Sequence, residues 1–381
     1  MYHSAASPRR LPLSWQQVHA FRMRQHHLAP RAQQGALTAV VADVCGVQAQ
    51  VMVAAQLSLW ARVQRITRED VQRALWQERT LVKTWLMRGT LHLLPVQELP
   101  LYLKAFGQAV TAREQQWMRR CGMTDMEATM MVEAIAEVLT ERPMTRHELA
   151  DRVVARLGPG ARPWIEHSWG GIIKLAALQG AICFGPDRSQ EVTFMRTDRW
   201  LSMPAELSPD EARLLILRKY LHAYGPATAQ DFAGWAGMAV REATFTWEQI
   251  HHELIEVMVE GKSAFLLAED LAVMSEEIEN DLSVCLLPSF DVYMLAHRSK
   301  VHLLAPAHYQ EVYRAAGWIS PVIVARGQVV GIWSFKRVGK KRYIIARLFR
   351  DHHISVSEDR LQRLVSDLSD FLGEACELIL T

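Results

Sequence analysis

Apolar residues recur in this chain as three successive sets of short helical periods, each followed by a pair of strand-forming runs, before the pattern changes to short β segments. In the first set, Ser14 is placed to cap an amphipathic helix through about Leu28, and further helices are expected over about Leu37 to Cys45 and Val51 to Val63. Thr67-Arg68-Glu69-Asp70 opens another to about Gln77, with acids in the first turn, where the helix dipole favours them. The run from Thr84 to Leu94 is rich in strand formers, breaks at Gly89 and ends at Pro95, which predicts a hairpin. A long helix from about Val96 to Arg120 leads into the second set. There Thr145 caps Arg146 to Leu157 with Glu148 at the capping-box position, Gly158-Pro159-Gly160 turns the chain, and one helix is expected from Trp164 to Leu178. Gly180 stops it, and Ala181 to Phe184 and Glu191 to Phe194 read as two strands.

The third set has the sharpest punctuation. Glu211 to Ala223 is a helix, Tyr224-Gly225-Pro226 a stop, Thr228 a cap for Ala229 to Trp235, Gly237 a turn, and Val240 to His251 the next helix. Leu254 to Val259 and Ala264 to Leu267 form its hairpin. Helix, turn, helix and two-stranded wing is the winged-helix order, present here in two good copies and a plausible third. Val284 to Leu287, Pro321 to Ala325, Val329 to Trp333 and Tyr343 to Leu348 then suggest a small barrel or sheet, closed by a helix from Glu358 to Leu378. The expected class is α+β, mainly α. Units are expected at residues 1–122, 123–203, 204–282 and 283–381.

Against this pattern one stretch stands out. In Gly46-Val47-Gln48-Ala49-Gln50, two glutamines flank a small apolar residue inside an otherwise apolar run from Ala36 to Ala61. A buried, unsatisfied amide costs about 1–3 kcal/mol, so the pair should face a groove, a ligand or water. Positions i and i+2 point to opposite sides of a helix but to the same side of an extended chain, and Gly46 is a natural helix stop. Both amides are therefore placed on a helix-to-helix connection, pointing the same way. A solvated surface pair is the competing reading.

At 381 residues the chain exceeds one ordinary core. No apolar run reaches the roughly 18 residues of a membrane span. Arg9 and Arg10 are not followed by a signal-peptide apolar region, so a cytoplasmic protein is expected. The five cysteines (Cys45, Cys121, Cys183, Cys285, Cys376) stand singly, without ligand spacing, which fits reduced thiols and implies neither a metal nor another cofactor. The net charge of +2 hides a segregation. Lys336, Arg337, Lys340, Lys341, Arg342, Arg347 and Arg350 are unrelieved by any acid, whereas Ser263 to His297 holds seven acids and no Lys or Arg. The tip around Val338-Gly339 is either a solvated basic face or a contact for nucleic acid.

Gly46 to Gln50, Leu59-Trp60-Ala61-Arg62, Arg88-Gly89-Thr90-Leu91-His92-Leu93, Ser168-Trp169-Gly170-Gly171, Leu286-Leu287-Pro288-Ser289-Phe290-Asp291 and Pro321 to Trp333 together resemble the AlkZ/YcaQ-like family of winged-helix DNA glycosylases. The likeness spans nearly the whole chain. It implies three tandem winged-helix units and a C-terminal β-domain in a C-shaped molecule, with a Gln-apolar-Gln motif in the concave channel. Some members carry Asp for the second glutamine; Gln50 places this chain in the glutamine-pair branch. That branch is typified by removal of N3- or N7-alkylated purines and sometimes of bulky or crosslinked adducts. The family's basic hairpin inserts into DNA, and Lys336 to Arg342 are similar in position. The implied partner is double-stranded DNA with alkylated bases, bound by a monomer associated with the nucleoid.

The chemistry is consistent with that likeness. A base must leave the stack before it can be excised, and a damaged base does so most easily. Alkylation at N7 or N3 makes the purine a cationic leaving group, which relaxes the need for a general acid. An amide is no general base near neutrality, but it can position water, as glutamine does in some GTPases. Gln48 and Gln50 would thus aim the water and contact the sugar in a monofunctional reaction needing neither a Schiff-base lysine nor a metal. Other candidates carry two readings each. His92 would assist or contact DNA, or be structural; Arg62 and Arg88 would be phosphate contacts or intramolecular clamps; Asp291 would orient Arg298 or a backbone amide, or form a structural turn; Trp164 or Trp169 would be core or line the channel. A rival class is a non-enzymatic winged-helix regulator, for which Lys174 and Arg241 are the only base-reading cations on the two presumed recognition helices. A protein–protein adaptor is the third.

Overall fold

A computed structural model describes residues 11–167, 170–201, 207–275, 284–339 and 341–381. The protein is of mixed α+β class. Among the described residues its strands form three three-stranded sheets and one five-stranded sheet. The chain begins with β1 (Leu11–Leu13) and α1 (Trp15–Gln25), where Ser14 caps the helix as expected: its N–H donates to Gln17 Oε1 at 2.9 Å. Then come α2 (Leu37–Asp43), β2 (Val47–Gln48), α3 (Met52–Trp60), α4 (Arg68–Trp76), β3 (Leu81–Trp85) and β4 (Leu91–Pro95), with sheet order β2-β4-β3. The hairpin starts at Leu81, ahead of the expected Thr84, because Lys83 is a buried strand residue whose ammonium lies 4.8 Å from the Phe184 ring centre. α3 stops short of Val63 because Val63 bridges to Ala32, whose N–H donates to Arg62 O at 2.8 Å.

The second group comprises α5 (Leu99–Arg120), α6 (Asp125–Val138), β5 (Met144–Thr145), α7 (Arg146–Leu157), α8 (Arg162–Ile165), α9 (Gly171–Leu178), β6 (Ile182–Arg188), β7 (Glu191–Arg196) and α10 (Thr197–Trp200). α6 was not anticipated, although Thr124 and Glu127 form the same capping box as the other helix starts. The single helix expected from Trp164 to Leu178 is two helices. Gly170 (φ +102°) and Gly171 (φ +46°) break it, and a side chain on Gly171 would sit 2.8 Å from Trp164 O. Ser168 and Trp169 of that motif lie outside the described residues.

α11 (Pro209–Tyr224), α12 (Ala229–Ala236), α13 (Val240–Gln249), β8 (Leu254–Val259) and β9 (Lys262–Leu267) make the third group, with the Thr228 cap and a left-handed Gly237 at the expected places. Its sheet is completed by β1, parallel to β8 in the register Leu11↔Val257 and Leu13↔Val259. Val18 and Phe21 of α1 share a core with Val257, Val259 and Leu266. The first described segment thus packs on the third sheet.

β10 (Val284–Leu287), α14 (Tyr309–Val312), β11 (Val322–Ala325), β12 (Gln328–Val338), β13 (Lys341–Leu348), α15 (Glu358–Leu372) and β14 (Cys376–Leu380) complete the chain. The sheet order is β10-β11-β12-β13-β14. The closing helix does not reach Leu378: Gly373 takes φ +67° and ends it. Cys376–Leu380 instead adds a parallel strand to β13, from Arg342↔Cys376 to Ala346↔Leu380. No helix among the described residues is long and apolar enough to cross a membrane.

Candidate active site

The local fold fixes how the two glutamines are presented. α2 ends before Gly46, whose φ of +88° and closeness to β4 demand glycine: a Cβ there would lie 2.6 Å from Leu94 Cδ2. The chain then runs extended, with Val47 and Ala49 buried, Gln48 half-buried and Gln50 exposed. This alternation puts both amides on the same side, on the connection from α2 to α3. Ala49 N–H donates to Leu91 O at 2.7 Å, and Gln50 Oε1 accepts from Leu91 N–H at 3.4 Å. Gln50 is thereby tethered by one acceptor. Among the described residues the Gln48 amide has no hydrogen-bond partner.

Across the sheet from Gln48 lies His92, and beyond His92 lies Thr84, in the register Gln48↔His92↔Thr84. The His92 side chain is buried, and its Nδ1–H donates to Thr90 O at 3.0 Å. Burial, reinforced by the nearby Arg88 charge, pushes its pKa down to about 3, so the ring is neutral near physiological pH. The buried ring offers no face to a phosphate here, which fits the structural reading of His92. The row offers hydrogen bonds and no strong acid or base.

Arg62 is likewise not a phosphate contact. It is fully buried and paired with Asp291 through two bonds of 2.7 and 2.8 Å, while Ser58 Oγ donates to Asp291 Oδ2 at 2.7 Å. Burial alone would lower the Arg62 pKa, but the Asp291 carboxylate outweighs it and the pKa rises. The pair clamps α3, which follows the glutamines, to the turn after β10. Asp291 also caps that turn by accepting from Tyr293 N–H at 3.0 Å. It does not orient Arg298, whose N–H donates to Asp231 Oδ1 at 3.0 Å.

Arg88 is half-buried in the loop between β3 and β4, with φ +58°. One of its terminal nitrogens donates to Trp235 O at the end of α12, and a Cβ on Gly237 would lie 2.9 Å from Arg88 Cγ. Burial lowers its pKa to about 10, still fully charged near neutrality. It acts as a clamp between the hairpin and α12. On the neighbouring Gly89 a Cβ would meet Lys174 Nζ at 2.7 Å, and that ammonium pairs with Glu114 at 2.6 Å. The β3–β4 loop, one residue from Gln50's partner Leu91, therefore touches both later groups.

The basic hairpin is a long arm of β12 and β13, with Arg337 opposite Arg342, Val338 opposite Lys341, and Gly339 in the turn. Lys336 and Arg337 are exposed. Lys341 pairs with Glu377 at 2.7 Å, and Arg342 with Glu374 at 2.6 Å while lying over the Phe335 ring. These acids come from β14 and the turn before it, where the sequence pattern predicts a continuing helix. Lys340 lies outside the described residues. Trp164 packs against Trp117, 6.2 Å between ring centres, in the second group. No group of three or more His, Cys, Asp or Glu among the described residues is arranged to hold a metal ion.

An uncharged pair of amides beside a rigid sheet, with a basic arm elsewhere on the molecule, fits a protein that acts on nucleic acid without strong acid–base machinery. The chain belongs to the AlkZ-like DNA glycosylases, whose family pattern matches residues 41–371, and it is a DNA glycosylase. It is 38% identical over 333 residues to a Streptomyces sahachiroi protein named "Interstrand DNA cross-link repair glycosylase", covering 84% of this chain and 87% of that one. Its fold matches that of the solved Streptomyces sahachiroi DNA glycosylase AlkZ with a TM-score of 0.84 at 33% identity, over 97% of this chain and all of the other.

Proposed function

We propose that the chain hydrolyses the N-glycosidic bond of N3- or N7-alkylated purines in duplex DNA, including adducts that crosslink the strands, as a monofunctional enzyme. The observation that carries this reading is the free Gln48 amide on β2, on the same side of the extended chain as the tethered Gln50. Gln48 aims the attacking water, and Gln50 contacts the deoxyribose as positive charge develops on the sugar. The alkylated purine leaves as a cation-derived neutral base, so a neutral His92 is no handicap. The likeness to a crosslink-repair glycosylase over most of both chains supports the wider adduct range.

In the same reading residues 1–122, 123–203 and 204–282 are three winged-helix units, with β1 of the first adding a strand to the third unit's sheet and α5 packing on the second. Residues 283–381 form the β-domain, and the whole is a C-shaped monomer that acts at the cytoplasmic nucleoid. Lys336 and Arg337 at the hairpin contact the duplex, joined by Lys341 and Arg342 when phosphate displaces their acids. Those surface pairs contribute only about 0–1 kcal/mol each, little hindrance to a phosphate. The regulator reading loses its main support: α9 is almost wholly buried, and its Lys174 is paired with Glu114. The direct test is a duplex with one 7-methylguanine, incubated with protein and heated in alkali. Strand scission at the abasic site is expected; intact strands across the alkylated purines would refute the substrate class.

A further inference from the structure

A cleft of about 550 Å³ opens beside α14, lined by Lys300, Val301, Leu304, Tyr309 and Gln310 among others. None of the residues of the glutamine row lines it. Tyr309 is 46% exposed and stacks one ring face on Tyr313, 5.0 Å between centres, which leaves its other face uncovered. Lys300 Nζ donates to Met294 O at 2.9 Å and lies 5.5 Å from the Tyr313 ring centre, so its stem is fixed while further donors remain. Arg298, two residues earlier, is exposed.

Arg298, which precedes the cleft in sequence and does not itself line it, packs on α12. A Cβ on Gly234 would lie 3.3 Å from Arg298 Cγ, and one on Gly237 would lie 2.9 Å from Arg88 Cγ. Gly234 lies in α12, and Gly237 is the left-handed residue that caps it. Arg298 and Arg88 therefore both pack at the C-terminal end of α12, and Arg88 belongs to the loop that leads to Leu91, the partner of Gln50.

We infer that this cleft holds one nucleotide of the DNA strand near the extruded base, its base stacked on the open face of Tyr309 and its phosphate held by Lys300 and Arg298. The inference rests on the glycosylase reading and extends its DNA footprint to a surface other than the basic hairpin. An aromatic face beside a cation, in a cleft of small-ligand size, is the arrangement that binds an unstacked nucleotide without regard to sequence. The charges facing Lys300 are Asp231 from α12, Arg88 from the β3–β4 loop and Arg22 from α1. Burial, opposed by Asp231 and aided by the two arginines, lowers the Lys300 pKa to about 8. A phosphate at the cleft stabilises the ammonium, so this contribution to binding is present below about pH 8 and fades as the pH rises above it.

Fluorescence anisotropy on a duplex containing 7-methylguanine tests this, with excision measured on the same samples. Tyr309→Leu and Lys300→Gln should each weaken binding about tenfold, within the usual range for one stacked base. Lys300→Gln should also reduce the log–log salt slope by about 0.9 and flatten the decline in affinity between pH 7 and 9. Lys300→Arg should restore affinity at pH 7 and keep it through pH 9, which a purely structural lysine would not do. Wild-type affinity and salt slope in both Tyr309→Leu and Lys300→Gln would overturn the inference while leaving the glycosylase reading intact. Failure of the wild-type protein to excise would instead strike that reading.

Discussion

Gln48 and Gln50 differ in what holds them, and that difference assigns their roles. Gln50 accepts from Leu91 N–H, whereas Gln48 has no protein partner among the described residues and is free to bind water. Neither amide titrates, and His92 beside them is held neutral with a pKa of about 3. Single-turnover excision should therefore be flat from pH 6 to 8; an inflection near 6.5 would implicate a histidine that the site does not use. The Arg62–Asp291 clamp gives a contrasting expectation. Arg62→Ala leaves a buried carboxylate unpaired and should destabilise the fold by about 3–5 kcal/mol, measured by urea denaturation. A loss under 1 kcal/mol would contradict the clamp. The glutamine geometry was legible in the sequence because alternation is local. The burial of Arg62 was not, since its partner Asp291 lies 229 residues away.

Several helix starts were legible for a related reason, since a capping box is written in four consecutive residues, as at Ser14, Thr67, Thr145 and Thr228, whereas the same box at Thr124 went unread. The α8–α9 break and β14 were not, because each depends on what the segment meets in space. Gly171 must avoid Trp164 O, and Cys376–Leu380 leaves helical periodicity for a place beside β13. β14 changes the meaning of the basic hairpin, since Glu374 and Glu377 pair with Arg342 and Lys341 and leave Lys336 and Arg337 without an ion pair among the described residues. Lys336→Ala with Arg337→Ala should lower the salt slope of DNA binding by about 1.8, or about 0.9 per phosphate contact. Glu374→Gln with Glu377→Gln should tighten binding instead. Unchanged slopes in the first variant would remove the hairpin from the DNA interface.

The groups are joined by α1, which locks the end of α11 in the third group to the segment that follows β10. Arg22 donates to Gly225 O at 3.1 Å, Pro226 O at 2.9 Å and His297 Nε2 at 2.8 Å, and His19 Nε2–H donates to His302 O at 2.9 Å. Trp15 stacks on His302, 4.7 Å between ring centres. Burial holds His19 at a pKa of about 3 and pushes His26, His297 and His302 well below the ordinary value. Folded-state values below the unfolded 6.5 mean that this stability is complete above pH 6.5 and is lost as the pH falls toward 3. Each histidine contributes a slope of up to about 1.4 kcal/mol per pH unit. Melting temperature should fall steeply below pH 6, and a flat profile from pH 7 to 5 would contradict the clasp. This closure was hidden in the sequence, because a three-residue strand such as β1 carries almost no pattern of its own. The central claim, that a neutral glutamine pair performs the excision within this frame, has one most direct test. Gln48→Ala and Gln50→Ala are compared with wild type for single-turnover release of 7-methylguanine and for affinity toward the same duplex. The account predicts a rate about 100-fold lower in each, with affinity within about threefold. Wild-type excision rates in both variants, or a loss of affinity as large as the loss of rate, would contradict it.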